Sequence, residues 1–183
     1  MANTARTNSF LQRLLGAAAL DAAIYEEVEA DRSATGQALA IVLLSSLAAG
    51  LGARGFVQPT VPHIVFISAV ALIVWAAWAL LTFEIGARIL PGPQTRVDVG
   101  ELLRTTGFAA TPGLLRVFGV LPGVTRPVFV ITALWMLAAM IVAVRQALDY
   151  TSTGRAIAVC VLGWALAIGF ALLLGLLFGP SVS

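Results

Sequence analysis

Glu84 is the one acid set against a predicted membrane span, and Arg88 follows it four residues later, one helical turn away in the Glu-before-Arg order that favours pairing. An ionisable group in a span is a functional candidate by default, so Glu84 could carry a proton or an ion. The spacing points instead to an interfacial ion pair with Arg88. Arg145 and Asp149 repeat the interval at the end of a later apolar run and are read as a second interfacial pair that fixes a turn. His63, the sole histidine, has no cysteine or carboxylate near it, which argues against a metal site. Cys160 is the only cysteine, so it can form no intrachain disulfide and is read as an inert packing residue. Paired acids, an activated serine or cysteine and a glycine-rich phosphate loop are all missing from the sequence. The residues therefore predict no enzyme, no cofactor and no metal.

The elements that must position these groups are membrane helices. Hydrophobic residues make up 60% of the chain and charged residues 11%, where a soluble domain carries roughly a quarter charged residues. Four charge-free runs, 33–53, 55–83, 127–144 and from residue 156 onward, each come close to or exceed the roughly 20 apolar residues that a span requires. Between Asp98 and Val124 the pattern is harder to read. Asp98 and Glu101 form a capping-box pair, Pro112 with Gly113 should kink or break the helix, and Pro122 with Gly123 should end it. The expected fold is all-α: a polytopic bundle of five transmembrane helices with a broken third helix. A re-entrant hairpin at residues 98–125 is the alternative. The polar start "MANTARTNSF" is read as no cleavable signal peptide.

Ahead of the first span, "NSFLQRLLGAAAL" sets Phe10, Leu11, Leu14, Leu15 and Ala18 on one helical face with Gln12 and Arg13 on the other. That predicts a short amphipathic helix lying in the interface or packed on the bundle's own cytoplasmic face. The acidic collar Glu26, Glu27, Glu29 and Asp31 follows. Asp21, Asp31 and Ser33 can cap helical pieces around it, and its acids would suit a basic, protein-like neighbour. Residues 1–34 are thus read as a cytoplasmic amphipathic and acidic segment, and residues 35–179 as the membrane domain.

All eleven basic residues are arginine. They are scattered along the chain, so the basic balance does not predict a nucleic-acid partner. With the N-terminus inside, five crossings leave Arg54, Arg116 and Arg126 outside and the other eight arginines in cytoplasmic segments. The positive-inside rule supports that orientation. The expected location is a bacterial cytoplasmic membrane, with the N-terminus cytoplasmic and the C-terminus outside.

Three segments in order, "YEEVEADRSATGQAL", "GELLRTTGFAATPGLLRVFGVLPG" and "VAVRQALDYTSTGRAI", resemble bacterial members of the Ypt-interacting protein, or Yip-one, domain family. The resemblance covers about residues 10–178. It implies five membrane helices, a cytoplasmic N-terminus and no catalytic residue to carry over. Eukaryotic relatives are associated with Rab-type GTPases, membrane trafficking and membrane shape.

Helix packing is the remaining signal. Gly163, Ala167, Ala171, Gly175 and Gly179 recur every four residues on the last span, and Ser45, Ala49 and Ala53 make a shorter stripe on the first. Such stripes let helices approach closely in lipid, either within the chain or against a partner. Trp75, Trp78, Trp135 and Trp164 fall inside spans and are read as packing rings in preference to the walls of a lipid or pigment site. The expected function is a non-catalytic membrane scaffold or accessory subunit. Its partners would be membrane lipids and a membrane protein or a second copy of itself. A small transporter, channel or lipid-handling protein is the alternative.

Overall fold

The computed structural model describes residues 8–55 and 60–178, with side-chain placements up to Leu166 except at positions 55, 63 and 67. The opening stretch on which the signal-peptide reading rests, as far as Thr7, and the stripe residue Gly179 lie outside the described residues. So do the side chains of His63, Ala167, Ala171 and Gly175. The described residues are helical and form no strand.

Seven helices follow in order: α1 (Phe10–Ala18), α2 (Ala22–Ala30), α3 (Thr35–Gly52), α4 (Val61–Glu84), α5 (Val99–Ala109), α6 (Thr125–Ala147) and α7 (Thr153–Phe178). Local chemistry starts several of them. Ser9 and Gln12 close a capping box on α1, and Asp98 and Glu101 close another on α5 with both bonds at 2.8 Å. Asp21 caps α2 by accepting from the Ala23 amide at 3.0 Å. Pro62 stands in the first turn of α4, where its missing N–H is no loss. Beyond Glu84 the helix widens into a π turn, Ile85–Ile89, closed by the Leu90 amide on the Ile85 carbonyl at 2.8 Å. After α5 the chain continues through Thr111, Pro112 and Gly113 as a 3-10 segment, Thr111–Val120. Three helical stretches, Arg32–Gly52, Ile64–Ile89 and Thr125–Ala147, are long and apolar enough to cross a membrane.

Glycines set how the bundle closes. A Cβ on Gly107 would stand 2.8 Å from that of Ala38, and one on Gly119 would stand 2.9 Å from the Gly52 carbonyl oxygen. Gly113 is pressed against the Ser45 hydroxyl. These three contacts pair residues 38, 45 and 52 with 107, 113 and 119, so α3 runs parallel to the end of α5 and its 3-10 continuation. The α3 stripe is therefore spent within the chain: Ser45 and Ala49 are both buried. On α7, Gly163 faces the indole nitrogen of Trp78 and the hydroxyl of Thr82 on α4.

The N-terminal hairpin α1–α2 packs on α5 and α6. Ala17, Ile24, Tyr25 and Val28 belong to the same buried cluster as Ile41, Phe108, Val144 and Val159, so packing is continuous across the boundary at residue 34. Trp135, midway along α6, donates its indole N–H to the Ala18 carbonyl at 2.7 Å, and Gln146 near the end of α6 donates to Glu26 at 2.7 Å. These two bonds lay α2 beside the last half of α6.

The sequence sets Arg13 on the face of α1 opposite Phe10, Leu11 and Leu15. Arg13 is 2% exposed, while Phe10, Leu11 and Leu15 are 40%, 63% and 59% exposed. The helix turns its arginine inward because two acids of α2 and its C-cap wait there: Arg13 meets Glu27 at 2.9 Å and Asp31 at 2.7 Å. The leucines are left on the outer face.

Candidate functional site

The collar divides. Glu27 and Asp31 belong to the Arg13 cluster, which also takes in the Gln37 side-chain oxygen at 3.3 Å and the Asn8 amide, bound to Glu27 at 3.0 Å. Hydrogen bonds from Ser33 and Arg13 hold the Asp31 carboxyl down to about 2, against 3.8 ordinarily. Glu27 is also lowered: burial opposes the shift, and the bonds from Asn8 and Arg13 outweigh it.

Glu26 and Glu29 instead line a cavity of about 510 Å³. They stand on successive turns of α2, and the facing wall is built by Glu101 of α5, Arg145 and Gln146 of α6, and Asp149 in the turn to α7. Four carboxylates thus face one guanidinium. Arg104 fixes this end of α2: buried at 5% exposure, its guanidinium donates to the carbonyls of Val28, at 3.0 Å, and Glu29. A cation on the last carbonyls of a helix satisfies acceptors that the helix itself leaves open. The turn after α6 is held by Tyr150, whose hydroxyl lies 2.6 Å from the Leu90 carbonyl and 3.1 Å from that of Gly86, and by the Thr95 hydroxyl, which donates to the Leu148 carbonyl at 2.8 Å.

The electrostatics follow from that crowding. Glu29 is pushed up to about 7, first by burial and then by the charges of Asp149, Glu101 and Glu26. Near neutral pH it is therefore divided between its acid and carboxylate forms. Among the described residues no three ligating side chains converge closely enough to hold a metal ion. The carboxylates are spread around a wide opening, an arrangement suited to several separated cationic groups.

Of the two expected interfacial pairs, Glu84 and Arg88 meet at 2.9 Å. Arg145 and Asp149 do not pair. Arg145 donates its Nε–H to the Tyr150 carbonyl at 3.3 Å, and Asp149 takes a left-handed backbone conformation, φ 50°, that ends the helix between them. Both side chains nonetheless reach the cavity with Glu26 and Glu29, from positions about 120 residues along the chain. Sequence reasoning missed Glu101, because its capping-box spacing explained it fully, and Gln146, because an amide beside an arginine carries no signal of its own. The indole of Trp164 is 50% exposed, so it faces outward instead of packing within the chain.

Comparison with protein-family models, with curated proteins and with solved structures finds no match for the chain.

Proposed function

We propose that the chain is a non-catalytic membrane scaffold or accessory subunit whose acidic cavity docks a basic segment of a partner protein. The observation that carries this is the cavity itself: carboxylates from α2, α5 and the α6–α7 turn face one arginine in a space of about 510 Å³. Electrostatic complementarity of that kind selects partners more than it binds them tightly.

On this reading the molecule has five crossings, α3, α4, the unit of α5 with its 3-10 continuation, α6 and α7. The glycine contacts from Gly107 to Gly119 support counting that unit as the broken third crossing, because it matches α3 along its length. The arginine distribution supports placing the cavity on the cytoplasmic side of a bacterial inner membrane. The three segments that resemble the Yip-one domain family agree with the same architecture.

The test is affinity purification of the full chain from native membranes in a mild detergent, beside a variant carrying Glu26→Gln, Glu29→Gln and Asp149→Asn. A stoichiometric partner should be recovered with the natural chain, should dissociate as salt rises, and should be lost from the variant. Recovery of the chain alone, or of the same complex with both proteins, counts against the reading.

A further inference from the structure

The sequence carries nine side-chain carboxylates, and all nine fall in the α1–α2 hairpin and its flanking turns, at the C-terminal end of α4, at the start of α5 or in the α6–α7 turn. The opposite end of the bundle, where α3 ends and α6 begins, holds Arg54, Arg116 and Arg126, and among the described residues no acid stands beside them. Arg54 and Arg126 are exposed at the helix ends, where water or headgroups satisfy them.

Arg116 is different. It stands on the 3-10 segment and is partly buried. Its Nε–H approaches the Thr132 hydroxyl at 3.4 Å, and its guanidinium lies 5.5 Å from the centre of the Phe129 ring. Thr132 stands seven residues into α6, about 10 Å along the helix at about 1.5 Å per residue. Its hydroxyl already donates back to its own helix, at 2.8 Å from the Val128 carbonyl. These contacts orient the guanidinium without neutralising it, and no described carboxylate lies within ion-pair distance of it. Around it the surface is apolar: Leu115, Val117 and Phe118 on its own segment, and Val130 and Ile131 on α6, are all exposed. A cation in apolar surroundings needs a counter-charge, and the described residues supply none there.

We infer that Arg116 binds the phosphodiester of a net-anionic membrane phospholipid, whose acyl chains lie on the apolar surface of the 3-10 segment and α6. A guanidinium oriented by one N–H and one ring face keeps its terminal N–H groups for the paired bonds that phosphate oxygens accept. This site lies at the far end of the molecule from the acidic cavity and does not depend on the docking reading.

The test is native mass spectrometry of the delipidated full chain titrated with phosphatidylglycerol, phosphatidylcholine or inorganic phosphate. The natural protein should retain one phosphatidylglycerol through detergent exchange. Arg116→Gln should lower that retention roughly tenfold, the scale of one lost charge-assisted contact. Arg116→Lys keeps the charge and loses the fork, so it should fall between the two and serves as the folded comparison should the glutamine variant aggregate. Arg126→Gln should bind as the natural protein does. The inference is overturned if the Arg116 variants retain the lipid like the natural chain, if phosphatidylcholine binds equally well, or if millimolar phosphate displaces the lipid and marks a soluble-anion site.

Discussion

Arg13 and Asp31 meet at 2.7 Å across the α1–α2 hairpin, with the arginine 2% exposed and Glu27 on its other side at 2.9 Å. An arginine so placed is a lock, because removing it strands two acids that face each other. Arg13→Ala should destabilise the protein by about 1.5 kcal/mol, below the scale of a buried pair because Glu27 and Asp31 are partly exposed and screened. Thermal unfolding in detergent would show it, and an unchanged midpoint would remove the hairpin lock from the account. The same cluster sets an acid limit. Asp31 has its folded value depressed to about 2 from 3.8, so its contribution is full above the unfolded value and is lost as pH falls from about 4 through 2. Arg13→Ala should reduce that acid dependence in part, because the bonds from Ser33 to Asp31 remain.

Glu29 has the opposite sign. Its folded value is raised to about 7 from 4.5, so folding favours the protonated form. Any stability from that preference is complete below about 4.5 and is lost as pH rises through 7. Glu29→Gln should therefore leave stability unchanged below about pH 4 and raise it at pH 8. After allowance for solvent screening the gain is about 1 kcal/mol, or roughly 3 °C in the unfolding midpoint. Identical pH profiles for the two proteins would mean that Asp149, Glu101 and Glu26 do not act on Glu29 as their placement implies. A bound basic partner should lower the Glu29 value, so docking should weaken as pH falls below 7.

How far the sequence carried depended on what kind of force placed each residue. Long apolar runs and capping pairs are local signals, so α3, α4 and α6 and the start of α5 at Asp98 were legible. The π turn after Glu84 was not, because the Tyr150 hydroxyl that bonds its carbonyls arrives from 60 residues away. Arg104 enters the sequence reading only as one of the cytoplasmic arginines; its partners are the Val28 and Glu29 carbonyls, which no pattern in its own segment announces. The amphipathic stripe on α1 was visible, but its direction was not. Which side faces the protein depended on Glu27 and Asp31, and those lie on the next helix and its cap.

Gly52 and Gly36 stand near the two ends of α3 and should respond oppositely to alanine. A Cβ on Gly52 would overlap the carbonyl oxygen of Arg116, a backbone atom that cannot move alone, whereas one on Gly36 meets nothing within 4 Å. Gly52→Ala should cost about 2 kcal/mol through overpacking. Gly36→Ala should be neutral or stabilise by up to about 1 kcal/mol through helix propensity. Unfolding midpoints of the two variants, measured side by side, check the parallel contact between α3 and the 3-10 segment; equal midpoints would mean that this contact is absent.

The hairpin tip gives the last prediction. Trp135 ties the Ala18 carbonyl to α6 at a point eleven residues before Gln146, which binds Glu26. At about 1.5 Å per residue these levels are about 16 Å apart, half of a hydrocarbon layer of about 30 Å. On α2 itself Asp21 and Glu26 are five residues apart, about 8 Å, so with the α6 terminus at the interface the turn between α1 and α2 would enter the near leaflet, with the exposed Leu11 and Leu15 of α1 against acyl chains. Asp21, the charge carried to that depth, is held by the Ala23 amide at 3.0 Å and by the positive end of the α2 dipole. A spin label at Leu15→Cys, in a Cys160→Ser background, should be reached by oxygen and shielded from a water-soluble nickel complex, while a label at Ser33→Cys should show the reverse. If nickel reaches both labels equally, α1 lies in water on the surface of the bundle, and its leucines are exposed for another reason.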